Sequence, residues 1–164
     1  MNTAYLGIGS NLGERLELLR QGRRRLEAAP GVRLLRSSPL YETVPQGGPA
    51  GQGLFFNAVL ELQTTLSAEA LLRLCLQIEA EAGRERLIHH GPRTLDLDLL
   101  LYDEQCCDSD ELTLPHPRLH ERRFVLVPLC DLRPELVHPR IGLSLSDLLA
   151  QLHDNGVTLR HKDW

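Results

Sequence analysis

The alternation of apolar and polar positions divides the chain into short elements of two kinds. Residues 3–8 alternate or run apolar, as a strand does, and end in Gly9, Ser10, Asn11, Leu12 and Gly13, a tight loop into a helix from about residue 14 with Asn11 as its expected N-cap. Leu16, Leu19 and Leu26 keep helical spacing until Pro30 and Gly31 stop the helix near residue 29. Residues 32–41 read as a second strand. Residues 43–53 carry two prolines and four glycines, which excludes regular structure. Alternation returns over 55–65, with Phe56, Ala58, Leu60 and Leu62 on one face and Phe55, Asn57 and Val59 on the other. Ser67 caps a second helix, and with Ala70 three positions on it is a simple cap rather than a capping box. Leu71, Leu72, Cys75, Ile78 and Glu79 follow at helical spacing until Gly83. A charged, His-containing loop over 84–92 then precedes a last apolar strand. The order of elements is the split βαββαβ pattern of an α+β fold, a mainly antiparallel sheet with helices packed on it. Beyond it come a turn at 115–117, a segment over 121–132 that fits helix or strand, and a short helix over 146–153 capped by Ser144 or Ser146.

Length and composition narrow this picture. At 164 residues, residues 1–164 are expected to form a single domain with a core that needs no disulfide or structural metal. No apolar run reaches the roughly 20 residues of a membrane span. The chain meets its first strand with no basic, apolar leader before it, which predicts a cytoplasmic protein. The four cysteines, two of them adjacent at Cys106 and Cys107, are expected as free thiols. A net charge of −4 argues against nucleic acid as a partner, which a basic stripe would announce. Every basic residue except Lys162 is arginine. Arg84, Arg86 and Arg93 on one side of the last strand, and Arg118, Arg122 and Arg123 on the other, read as anion binders.

The candidate chemistry lies in GPRTLDLDLLLYD, residues 91–103, where two carboxylates interrupt an apolar run. Asp96 and Asp98 share one face of a strand, with side chains about 7 Å apart at roughly 3.3 Å of rise per residue, while Leu95, Leu97 and Leu99 enter the core. Two hard oxygen ligands on a rigid strand suit Mg²⁺, which completes its octahedron with water and substrate phosphates. An amphipathic edge strand with two solvated Asp side chains has the same pattern. Against it stand the poor strand propensity of Asp, the cost of paired like charges on one face, and the Arg- and His-rich segment just upstream.

Other motifs carry less. The glycines at 7, 9 and 13 match neither GxGxxG nor a Walker A loop and read as sites of close backbone packing and helix entry. His116 and His120 have a zinc-compatible spacing, but Pro115 and Pro117 flank the first and no further ligand pair completes a site. Phe55, two residues before Asn57, and Phe124, just after Arg122 and Arg123, fit either core packing or a clamp on a flat heterocycle, with Asn57 supplying paired donor and acceptor groups.

Together YLGIGSNLGER (5–15), YETVPQGG (41–48), FFNAVLEL (55–62), GPRTLDLDLLLYD and LPHPRLHERRFVLVPL (114–129) make the chain resemble the 6-hydroxymethyl-7,8-dihydropterin pyrophosphokinase family over almost its whole length. The resemblance implies a ferredoxin-like core, ATP as co-substrate, and transfer of the β,γ-pyrophosphate to the pterin's hydroxymethyl oxygen with release of AMP, a step of folate biosynthesis. It implies two Mg²⁺ ions on Asp96 and Asp98, and Arg84 and Arg93 as catalytic cations. The pterin would lie against Thr43, Val44, Pro45, Gln46, Phe55, Asn57 and Phe124. Glu79, Arg86, Arg93, Leu99, Thr113, His116 and Arg122 would lie near ATP. It departs from the family at His89 and His90, where an Arg-Trp pair is frequent, and at Val44, where some members have proline. The partners expected are these two small molecules alone, without nucleic acid or membrane, acting on a monomer. A binding module on the same scaffold is the rival, and it lacks the interleaved aromatic and basic residues an RNA surface needs.

Overall fold

Strand β1 (Asn2–Ser10) takes the middle of the sheet because both of its faces are apolar or bare. Ala4, Leu6 and Ile8 enter one core, Tyr5 enters a second, and Gly7 and Gly9 present no side chain. The computed structural model describes residues 1–45, 50–83, 95–153 and 156–164. After β1 the chain turns through Gly13, whose φ of 74° favours glycine, into helix α1 (Arg15–Ala28). Asn11 is not its cap: position Glu14 is, with no side-chain bond, while the Asn11 amide donates to Gln52 Oε1 (3.3 Å) and the Gly53 carbonyl (3.2 Å). Three residues short of the helix, that side chain serves the neighbouring loop instead.

The strand expected over 32–41 is two strands, β2 (Val32–Ser37) and β3 (Leu40–Thr43), both paired with β4 (Phe55–Thr64). The break falls at Ser38–Pro39. Proline has no N–H for a ladder, and Ser38 makes the local contacts: its N–H donates to the Val59 carbonyl and its Oγ accepts the Val59 N–H, each at 2.8 Å. Helix α2 (Ala68–Glu81) starts as expected, with Ser67 Oγ accepting the Ala70 N–H at 3.1 Å, and its buried stripe is Leu71, Cys75, Ile78 and Glu79. Strand β5 (Asp96–Tyr102) closes the core motif on the free edge of β1. All pairings are antiparallel, in the order β5, β1, β4, β3, with β2 also on β4. Leu19 and Leu26 of α1 and the buried stripe of α2 pack with Leu95, Leu97 and Leu99 against one face.

The remaining elements cover part of the opposite face. A two-residue ladder joins β6 (Cys107–Asp108) to β7 (Thr113–Leu114), and a 3₁₀ turn at Leu119–Glu121 leads into helix α3 (Arg123–Leu132). Helix α4 (Leu145–Ala150) is capped by Ser144, the first of the two serines expected there. Leu126, Leu129, Leu145 and Leu148 seal these two helices onto Tyr5, Val59 and Leu101. A last strand, β8 (Val157–His161), not expected from its sequence, pairs with β3 at the sheet edge. All four cysteines are free thiols. Among the described residues no helix is long and apolar enough to cross a membrane.

Candidate active site

The site begins with an absence of side chains on the central strand. Along the face of β1 that meets α3 the residues run Tyr5, Gly7, Gly9, so the sheet passes from covered to bare within one strand. In register, Gly9 lies between Asp96 of β5 and Asn57 of β4, and Gly7 between Asp98 and Val59. Two glycines thus floor a trough whose banks are the carboxylate pair on one side and Asn57 on the other. The fit at Gly9 is close. A Cβ there would stand 2.5 Å from Asn57 Oδ1 and 3.2 Å from the Phe56 carbonyl, whereas one at Gly7 would meet only ordinary contacts.

Walls rise around this floor to enclose a cavity of about 230 Å³. That is below the roughly 300–1,000 Å³ of pockets for drug-sized ligands and suits one flat ring system. Thr43, Val44 and Pro45, running out of β3, face Phe55 at the start of β4. The Asn57 Nδ2 donates to Thr43 Oγ1 at 2.6 Å, which orients the amide and leaves its carbonyl oxygen and second N–H for a planar ligand. The first turn of α3 contributes Phe124 and Val125, and Arg122 just before it holds its guanidinium carbon 5.6 Å from the Phe124 ring centroid. His116 completes the wall, its backbone N–H bonded to the Leu100 carbonyl at 2.9 Å. Burial, together with the Arg122 and Arg118 charges, pushes its imidazole down to about 4 against an opposing pull from Asp96. The ring is therefore neutral at pH 7, and since Nδ1 accepts the Arg118 N–H, its proton is on Nε2.

Ten of the expected site residues meet here: Thr43, Val44, Pro45, Phe55 and Asn57 from the β3–β4 side, Asp96 and Asp98 from β5, and His116, Arg122 and Phe124. Three others stand apart from the cavity walls. Glu79 is buried beneath β5, where its carboxylate accepts the Leu97 N–H at 2.8 Å. Leu99, on the other face of β5 from the Asp pair, packs in the α1–α2 core, and Thr113 is in the β6–β7 ladder. Gln46, Arg84, Arg86 and Arg93, with His89 and His90, lie outside the described residues. Gly7 and Gly9, expected only as positions of close packing and helix entry, belong to the site, and so do Val59 and Val125, which were not expected there. The signal was present: a Gly-x-Gly pair in a central strand next to an Asp-x-Asp strand sets bare positions opposite charged ones.

The donor set fits Mg²⁺. Asp96 and Asp98 are half-buried on one face of the trough and offer only carboxylate oxygens. Among the described residues no group of three or more His, Cys, Asp or Glu is placed to hold a metal. Two carboxylates alone make a poor zinc or calcium cage, but they suit a cation that keeps several waters and shares substrate phosphates.

The family model described as 7,8-dihydro-6-hydroxymethylpterin-pyrophosphokinase (HPPK) matches residues 5–134. The chain is 40% identical over 157 residues to 2-amino-4-hydroxy-6-hydroxymethyldihydropteridine pyrophosphokinase of Methylorubrum extorquens, covering 96% of this chain and 98% of that protein. To the Pseudomonas aeruginosa protein of that name it is 44% identical, covering 93% of each. It is also 43% identical over 156 residues to the folic acid synthesis protein fol1 of Schizosaccharomyces pombe, covering 95% of this chain but only 21% of that protein. A solved HPPK-DHPS structure in complex with substrates superposes with a TM-score of 0.71 over 92% of this chain and 43% of the other, at 13% identity, a likeness of fold. The chain thus spans about a fifth of the fungal relative and under half of the HPPK-DHPS chain.

Proposed function

The chain belongs to the 7,8-dihydro-6-hydroxymethylpterin-pyrophosphokinase family, and from that premise we propose that it transfers the β,γ-pyrophosphate of MgATP to the hydroxymethyl group of 6-hydroxymethyl-7,8-dihydropterin, a step of folate biosynthesis. The products are the pterin diphosphate and AMP. The observation that supports this most strongly is that Asp96 and Asp98 open into the same cavity as Asn57, Thr43, Phe55 and Phe124. A phosphate-binding metal bracket and a slot for a flat, hydrogen-bonding heterocycle share one trough.

In this reading the pterin ring lies between Phe55 and Phe124, and its edge pairs with the Asn57 amide and backbone groups near Thr43. Val44 and Pro45 close that side, and Gln46 extends it. The hydroxymethyl oxygen then points along the Gly7–Gly9 floor toward Asp96 and Asp98. That oxygen attacks the β-phosphorus in line, the bond to the α,β-bridging oxygen breaks, AMP leaves with that oxygen, and the hydroxyl proton passes to water or a phosphate oxygen. Asp96 and Asp98 would hold two Mg²⁺ ions, which supply charge neutralisation on the triphosphate and lower the pKa of the attacking alcohol. Arg122 borders the phosphate side, and Arg84, Arg86 and Arg93 are the further cations proposed to meet charge as it grows. His116, neutral with its proton on Nε2, can donate a hydrogen bond to an anion but cannot lend it a charge. Glu79, Leu99 and Thr113 act from behind the site by holding β5 and its neighbours in place. The chain would work as a single-domain cytoplasmic monomer on these two small molecules, without nucleic acid or membrane.

The test is the identity of the nucleotide product. Protein, MgATP and the reduced pterin should yield AMP in equal amount to pterin diphosphate. ADP as the product would make it an ordinary kinase, and pterin binding without turnover would make it a binding protein.

A further inference from the structure

In the Tyr-Glu-Thr run at 41–43, Glu42 has no part in the reaction scheme, yet its carboxylate is held by two arginines from different elements. Strand alternation turns Tyr41 and Thr43 to the sheet face that carries α3 and the trough, and Glu42 to the other side of the sheet, opposite Phe56 of β4 and Thr158 of β8. There the Glu42 carboxylate, 13% exposed, receives two guanidinium groups. Arg15, from the first turn of α1, donates to Oε2 at 2.9 Å. Arg160 of β8 reaches Oε1 through Nε at 3.1 Å and Nη2 at 3.0 Å.

Arg15 carries the connection further. The nitrogen that meets Glu42 also donates to the Leu54 carbonyl at 2.7 Å, and the guanidinium carbon lies 3.8 Å from the Phe56 ring centroid. One carboxylate thereby joins four pieces of chain: the end of β3 that becomes Thr43 and Val44, the residues that lead into Phe55, the start of α1, and the C-terminal strand. The tie to β8 is reinforced at Gly156, where an added Cβ would stand 2.9 Å from Val44 Cγ2. Val157 lies in register with Thr43. Residues 135–164, which include Arg160, lie beyond the segment matched by the family model.

We propose that Glu42 is a positioning residue for the pterin side of the site, setting through Arg15 and Arg160 the separation between Thr43–Val44 and Phe55. The inference rests on the pterin reading of the cavity given above. Phe55 and Thr43 are register partners on adjacent strands, and Thr43 in turn orients Asn57. A carboxylate on the reverse face that fixes both strand ends fixes the width of the slot without touching what enters it. Burying the carboxylate opposes its ionisation, but the hydrogen bonds and charges of the two arginines outweigh this and keep Glu42 ionised at neutral pH.

A purely structural role would lower stability or harm both substrates alike, whereas positioning is selective. Steady-state kinetics of Glu42→Ala, Glu42→Gln and Arg160→Ala, with circular dichroism to establish folding, separate the two. The expected result for Glu42→Ala is a rise of about tenfold in KM for the pterin, with kcat and KM for ATP within about twofold of wild type, since sub-ångström misplacement is enough to weaken a preorganised site. Glu42→Gln and Arg160→Ala, each of which spares part of the network, should raise the same parameter by about threefold. They carry the test should the alanine variant not fold. Equal rises in both KM values, or a fall in thermal stability with kinetics unchanged, would overturn the proposal. Wild-type protein that makes no AMP from the pterin would overturn the functional reading and this inference with it. Wild-type turnover with unaltered pterin KM in all three variants would remove this inference alone.

Discussion

At Gly9 the absence of a side chain shapes the site as much as the carboxylates beside it do. The position is in register with Asp96 and Asn57, and an added methyl would come within 2.5 Å of Asn57 Oδ1. Gly9→Ala is therefore expected to push the Asn57 amide off its bond to Thr43. The cost in stability would be about 1–3 kcal/mol, as for other overpacked sites, and pterin affinity would fall at least as far. Isothermal titration with the pterin checks this, and an unchanged dissociation constant would show that Asn57 does not read the ligand. The sequence revealed the charged half of this arrangement and hid the bare half. Asp in an apolar strand is conspicuous because it is costly there, whereas glycine has many uses and its use here depends on cross-strand register, which only the fold supplies.

The elements that carry the site are braced from below. Glu79, buried on the inner face of α2, accepts the Leu97 N–H at 2.8 Å between the two Asp residues of β5. Glu79→Ala should strip that N–H of its acceptor, cost about 1–3 kcal/mol, and lower kcat by letting the carboxylate pair shift. Urea unfolding and kinetics of the variant measure the two effects, and full activity in a destabilised protein would break the proposed link between them. The core elements were legible because their patterns are strong: β4 is an apolar-rich run whose positions 58–62 are all buried, and α2 shows a capping serine and a clean stripe. Other elements were less so. The break at Ser38–Pro39 hides in an apolar stretch because Ser38 supplies the bonds that proline omits. The Asn11 side chain looks like a cap until the 50–54 segment comes near enough to claim it. Strand β8 is mostly exposed, so its sequence carries little periodicity, and it forms because β3 presents an open edge.

Across the whole molecule, the face that bears the cavity is fixed from its far end by a buried carboxylate. Glu61, 5% exposed, accepts from the Tyr5 hydroxyl at 2.7 Å and from two nitrogens of Arg36 at 3.1 Å each. Arg36 also holds the Leu132 carbonyl at 3.0 Å and Arg133 donates to the Tyr5 hydroxyl at 3.1 Å, so the network ties the C-terminal end of α3 to three strands while its first turn delivers Phe124 to the site. Burial raises the Glu61 pKa, but the hydrogen bonds from Arg36 and Tyr5 and the charges of Arg36 and Arg133 outweigh it, leaving the carboxyl below its ordinary 4.5. A depressed folded-state pKa means the contribution to stability is complete above about pH 4.5 and is lost as pH falls through the folded value. Glu61→Gln should cost about 2 kcal/mol at neutral pH and flatten the decline below pH 4.5, as read from urea midpoints against pH. An acid limb as steep as that of wild type would assign the decline to other groups. Diphosphoryl transfer at the Asp96–Asp98 trough can be followed with ATP labelled at the β-phosphorus, given with the reduced pterin to wild type and to Asp98→Asn. Wild type should move the label into the pterin product and leave unlabelled AMP, and the folded variant should be at least about a thousandfold slower, a loss of roughly 4 kcal/mol of transition-state stabilisation. Label retained in ADP, or a variant as fast as wild type, would contradict it.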